Sequence, residues 1–132
     1  MKNRTSIQAT IHNTPYKTQI KAGNHDLICD EPLMNGGNDE GINPFELLLS
    51  ALGSCMAITM KMYAERKDWD IGEVKVDLTM EKEGEYTVIN RKVIFSEHLD
   101  AEQQKRLKQI ANACPIHKIL TTKTVINTIN EE

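Results

Sequence analysis

Residues 44–67, PFELLLSALGSCMAITMKMYAERK, constrain the fold more than any other stretch of the chain. Their spacing predicts a helix whose first turns are apolar almost all round, and such a helix is buried rather than half-exposed. Its start is marked locally. Asn43 serves as N-cap, Pro44 fits the first helical position, and Glu46 stands where a capping box closes. Charges enter only toward Lys61, Glu65 and Arg66. A chain of 132 residues has the length of one domain, spanning 1–132, and it offers few strands to sheath such a helix. A partner subunit is therefore expected to help cover it. No uninterrupted apolar run approaches the ~20 residues of a membrane span.

The remaining segments alternate between strand and helix signals. SIQATIH (6–12) puts Ile7, Ala9 and Ile11 on one face. Asn13 and Pro15 make a turn. TQIKA and HDLICDEP read as further short strands, followed by a glycine-rich acidic loop at 34–42. That loop lacks the lysine of a phosphate-binding loop. GEVKVDLTMEK (72–82) alternates cleanly, and TVINRKVIFSEHL returns beside it as a hairpin. Asp100 and Gln103 start a second helix with Leu107, Ile110, Ala111 and Cys114 on its inner stripe. Pro115 opens a third, short helix, and TVINTI (124–129) reads as a final strand. The fold class is α+β.

The net charge of -3 argues against a nucleic-acid or anionic-membrane partner, since either needs a basic excess. The N-terminal MKNRTSIQAT carries no apolar core of a signal peptide, so a soluble, cytoplasmic protein is expected. Three cysteines, with no CxxC, do not make a disulfide scaffold. In a reducing compartment each is core, metal ligand or redox centre.

Cys55 shares a helix face with Leu48, Leu52, Ile58 and Met62, which suits a core thiol as well as a nucleophile kept dry. It lies too far into its helix to gain from that helix's N-terminus, so a thiolate there needs a cation from elsewhere. Cys114 precedes Pro115, and as N-cap of the last helix its sulfur would lie near unpaired N–H groups. Cys114 and His117 alone make a poor zinc site, and no metal is expected. His117 otherwise reads as an ordinary, partly buried histidine. Cys29 precedes Asp30 and Glu31, which would raise a thiol pKa.

Two segments, GGNDEGINPFELLLSALGSCMAITMKMYA and RLKQIANACPIHKIL, resemble the OsmC-like family of osmotically inducible and organic hydroperoxide resistance proteins. The first has the family's glycine-containing loop, an Asn-Pro helix start, and a cysteine eleven residues after the proline; the second has its A-x-x-CP cysteine. The resemblance covers nearly the whole chain in order. It implies antiparallel strands wrapped around two main helices, with the long central helix buried in an intertwined homodimer. It also implies reduction of organic hydroperoxides, alkyl or lipid, without metal, haem or flavin. Cys55 would then be the peroxidatic thiolate, Cys114 the resolving cysteine, and an external dithiol (lipoyl or another thiol) the reductant.

The chain departs from the family's best-known peroxidases at the activating groups. Those proteins place a glutamate directly after Asn-Pro, beside an arginine from the N-terminal hairpin. Here Phe45 follows Pro44 and the acid is Glu46, while Arg4 and Lys17 are the cations of the N-terminal region in question. These features resemble the divergent OsmC-like branch. A second reading on the same scaffold is a non-enzymatic small-molecule binder.

Overall fold

The computed structural model describes residues 4–96 and 98–129. Its internal contacts gather into two units, Met1–Leu48 and Leu49–Glu132.

In the first unit β1 (Gln8–Ile11), β2 (Thr18–Ala22) and β3 (His25–Cys29) form an antiparallel sheet in chain order. Ala9, Ile20 and Leu27 stand in register across it. The apolar face expected on the first strand is present but uncovered, with Ile7 58% and Ile11 55% exposed. After β3 a short 3-10 turn, Leu33–Asn35, leads into the glycine-rich loop. Asp30, only 2% exposed, organises that loop. Its carboxylate accepts the Glu31 N–H at 2.7 Å and the Glu40 N–H at 3.2 Å. Two glycines are required by close approach. A Cβ at Gly37 would lie 2.1 Å from the Glu31 carbonyl oxygen, and one at Gly41 would lie 2.1 Å from that of Ile28.

Burial alone would push the Asp30 carboxyl up. The N–H groups of Glu31, Glu40 and Asn38, with the Lys17 charge, outweigh it and hold the group below its ordinary value. A depressed folded-state pKa stabilises above the unfolded value and is lost as pH falls through the folded one. Stability is therefore expected to drop below about pH 4. Asp30→Asn is expected to be less stable than wild type at pH 7, with the difference shrinking toward pH 2 in acid titrations followed by circular dichroism. A constant difference across that range would show that the Asp30 charge does not hold the loop.

α1 (Pro44–Arg66) spans the unit boundary in sequence. Its start is a reciprocal cap: Asn43 Oδ1 accepts the Glu46 N–H at 2.8 Å, and Glu46 Oε1 accepts the Asn43 N–H at 2.9 Å. The helix ends where Asp68 turns to φ 59° and the Trp69 N–H reaches back to the Ala64 carbonyl. It is less buried than its composition predicts. Leu52, Met56, Met60 and Ala64 form one buried stripe, whereas Ile58 and Met62 are 54% and 56% exposed. Contrary to the sequence expectation, α1 is long and apolar enough to cross a membrane by length and composition. The core helix of a soluble protein meets the same criterion.

In the second unit β4 (Lys75–Glu83) and β5 (Tyr86–Ile94) pair through a two-residue turn, with Gly84 at φ 62°. α2 (Ala101–Ala111) opens with a full capping box between Asp100 and Gln103. α3 (Pro115–Thr121) opens on Cys114 and Pro115. Met60, Leu107, Ala111 and Cys114 are fully buried at the centre, and Val76, Leu78, Ile89 and Val93 of the hairpin pack against that cluster. The strand expected at 124–129 does not form. Among the described residues this segment pairs with nothing, and Val125, Ile126 and Ile129 are 67%, 91% and 87% exposed. Alternation supplies a face, but a strand also needs a neighbouring ladder to satisfy its backbone.

Candidate active site

The α2 stripe runs through Leu107 and Ala111 to Cys114, which is why that thiol ends in the core. Pro115 stops α2 from continuing and starts α3, leaving Cys114 as N-cap with its Sγ accepting the His117 N–H at 3.4 Å. Cys55 projects from α1, half-buried against the same cluster that holds Cys114. Both sulfurs are free thiols. Two cysteines far apart in sequence thus share one site.

The helix N-terminus does not make Cys114 acidic, as its position suggested. Burial, then the neighbouring Cys55 thiol, push the Cys114 thiol up, and the N–H groups of His117 and Ile116 only partly offset them. In Cys55→Ala that neighbour is gone, and the Cys114 pKa is expected to fall. Iodoacetamide alkylation against pH, followed by mass spectrometry, should show Cys114 reacting at lower pH in the variant than in wild type. An unchanged profile would mean that the two thiols do not interact.

Cys55 occupies a second α1 stripe, Leu48, Ala51, Cys55, Ile58 and Met62, where Ile58 and Met62 are exposed. It is therefore half-buried, not enclosed. Glu46 is spent on the helix cap. Lys17 pairs with Glu40 at 3.1 Å within the first unit. Arg4 is exposed ahead of β1 and has no ion pair among the described residues. Cys29 is buried beside Ile42, and its thiol is pushed up by burial and then by Glu31. His117 meets Cys114 through its backbone.

Sequence reasoning missed Arg91. Strand register sets Leu78 opposite Arg91, between the pairs Val76–Val93 and Met80–Ile89. Arg91 thus stands on the inward, apolar face of the hairpin. It donates to the Lys108 carbonyl at 3.0 Å and lies 3.9 Å from Met56 Sδ. The alternation Ile89–Arg91–Val93 was the available signal: one cation on a face of apolar residues.

Residues 36–129 match the family model for OsmC-like protein. The chain belongs to the OsmC-like family. Solved structures agree in fold. An OsmC-like protein from Mycoplasma pneumoniae superposes with a TM-score of 0.77 at 19% identity, over 91% of this chain and 89% of that one. A provisionally named osmotic stress induced and detoxification response protein from Psychrobacter arcticus gives 0.75 at 24% identity, over 89% of each chain. The organic hydroperoxide resistance protein OhrB of Bacillus subtilis gives 0.63 at 19% identity, over 90% of this chain and 91% of that one. No curated protein sequence matches. In this OsmC-like chain length and composition alone do not make α1 a membrane span, and the α+β class holds, with antiparallel sheets and three helices among the described residues.

Proposed function

We propose that this OsmC-like protein is a thiol peroxidase that reduces organic hydroperoxides, alkyl or lipid, in the cytoplasm. The observation that carries the reading is that Cys55 and Cys114, far apart in sequence, pack together at one buried cluster. Cys55, as thiolate, attacks the distal peroxide oxygen; the O–O bond breaks, leaving a Cys55 sulfenic acid and an alkoxide. Cys114, held protonated, supplies the proton that turns the alkoxide into an alcohol. The Cys114 thiolate so formed attacks the sulfenic sulfur and expels hydroxide, giving the Cys55–Cys114 disulfide. An external dithiol then returns two electrons and two protons by exchange. No metal or organic cofactor takes part. Arg4, Lys17 and Glu46 are the proposed supporting groups, although they depart from the family's glutamate–arginine pair and Glu46 and Lys17 have partners elsewhere.

The working unit is proposed to be a homodimer. The exposed Ile58 and Met62 on the Cys55 stripe, with Ile11 of β1 and Ile7 just before it, are apolar surfaces that a second copy would bury. Closure over that stripe would exclude water from Cys55. Some relatives of this fold are named organic hydroperoxide resistance proteins, and this supports the reaction class.

The direct test treats reduced protein with stoichiometric cumene hydroperoxide and follows intact mass and peptide linkage without reductant. Rapid loss of two hydrogens with a linked Cys55–Cys114 peptide is expected. Unchanged mass, or slow oxidation scattered over methionines, would overturn the assignment.

A further inference from the structure

A cleft of about 300 Å³ lies between α1, the β4–β5 hairpin and α3, near the lower end of the usual size for small-molecule sites. Leu52, Leu78 and Ile89 form apolar walls, and Arg91, Asn112 and Thr87 bring polar groups into the same space. The thiols are not among its lining residues, although α3 connects the two places: His117 lines the cleft while its N–H holds Cys114.

Arg91 is the odd feature. A guanidinium is always charged and has five N–H donors. Here one donor meets the Lys108 carbonyl and another faces the Met56 sulfur, so the strongest partner, an anion, is missing. Among the described residues no carboxylate forms an ion pair with it. A half-buried cation on an apolar sheet face is costly unless something compensates it. The β4–β5 pairing puts an apolar residue at every neighbouring inward position, so Arg91 is not a solvated surface group that drifted inward.

We propose that this cleft binds a small amphiphilic carboxylate. The head group would take the remaining Arg91 donors as a fork, assisted by Asn112 and Thr87. A short alkyl chain would lie along Leu52, Leu78 and Ile89. The apolar walls favour a carboxylate with a tail over a bare anion, and the guanidinium favours an acid over a neutral lipid. This site is independent of the peroxidase reading and stands if that reading falls.

Isothermal titration calorimetry on the reduced, full-length protein tests it with octanoate, 1-octanol and inorganic phosphate as probes. Octanoate is expected to bind saturably, at least ten-fold more tightly than either of the others. Arg91→Gln should weaken octanoate ten-fold or more, and Arg91→Lys should recover part of the loss. Because Arg91 also bonds the α2 carbonyl, a second variant leaves it in place. Leu120→Trp, on the lining of the cleft, should abolish octanoate binding by filling the space. Equal binding of octanoate and octanol, equal binding of phosphate, no saturable heat, or unaltered octanoate affinity in Leu120→Trp would each overturn the proposal.

Discussion

Cys55→Ser is expected to lower hydroperoxide turnover by ~10³-fold or more, because the attacking sulfur has no substitute at the site. A serine hydroxyl is far less acidic and cannot carry the oxidised state. Cys114→Ser should behave differently. Cys55 would still react once, but the sulfenic acid would persist and be trapped by dimedone instead of closing to a disulfide. Excess peroxide would then carry it to sulfinic acid. The pair of variants separates the two roles: loss of the first oxidation in one, loss of resolution in the other. Full turnover in Cys55→Ser would place the chemistry elsewhere. A dimedone adduct appearing equally in wild type and Cys114→Ser would remove Cys114 from the reaction.

Leu107→Ala is expected to destabilise the protein by about 2–5 kcal/mol, the range for truncating a fully buried leucine. Leu107 is completely buried, on the α2 stripe that ends at Cys114. Removing its branched end leaves a space inside the cluster that also holds Met60, Ala111 and Cys114. With a urea slope of about 2 kcal/mol/M, the unfolding midpoint should fall by roughly 1–2.5 M. Lys105→Ala, on the exposed side of the same helix, is the control and should shift it by no more than about a quarter of a molar. A Leu107→Ala midpoint close to wild type would show that the α1–α2 core is not packed as described. The same variant should also loosen Cys114, since α2 packing sets where that thiol stands.

The caps and breaks were legible because each depends on residues within one turn. Asn43 with Glu46 and Asp100 with Gln103 close their boxes by local hydrogen bonds, and Pro115 ends α2 whatever surrounds it. The hairpin was legible too, since alternation and a turn between its strands specify both partners. The N-terminal sheet followed the same rule, although its apolar face is uncovered.

Burial was harder to read. Apolar composition predicted that α1 would be enclosed, yet one chain covers only one of its stripes, leaving Ile58 and Met62 at the surface. TVINTI has the alternation of a strand, but a ladder is a property of two segments, and no second segment lies beside it among the described residues. The Cys114 pKa was misjudged for a related reason. A helix N-terminus is visible in sequence, whereas the burial and the Cys55 neighbour that outweigh it are not.

By itself, the sequence determined most of the elements, their caps, the α+β class and the two cysteine segments that mark an OsmC-like chain. These follow from local periodicity and short-range hydrogen bonding. Only the tertiary structure decided that Cys55 and Cys114 pack at one cluster, that burial outweighs the helix N-terminus at Cys114, and that Arg91 faces an apolar cleft. Each of those facts is a contact between residues distant in the chain, and such contacts are set by the packing of whole elements against one another.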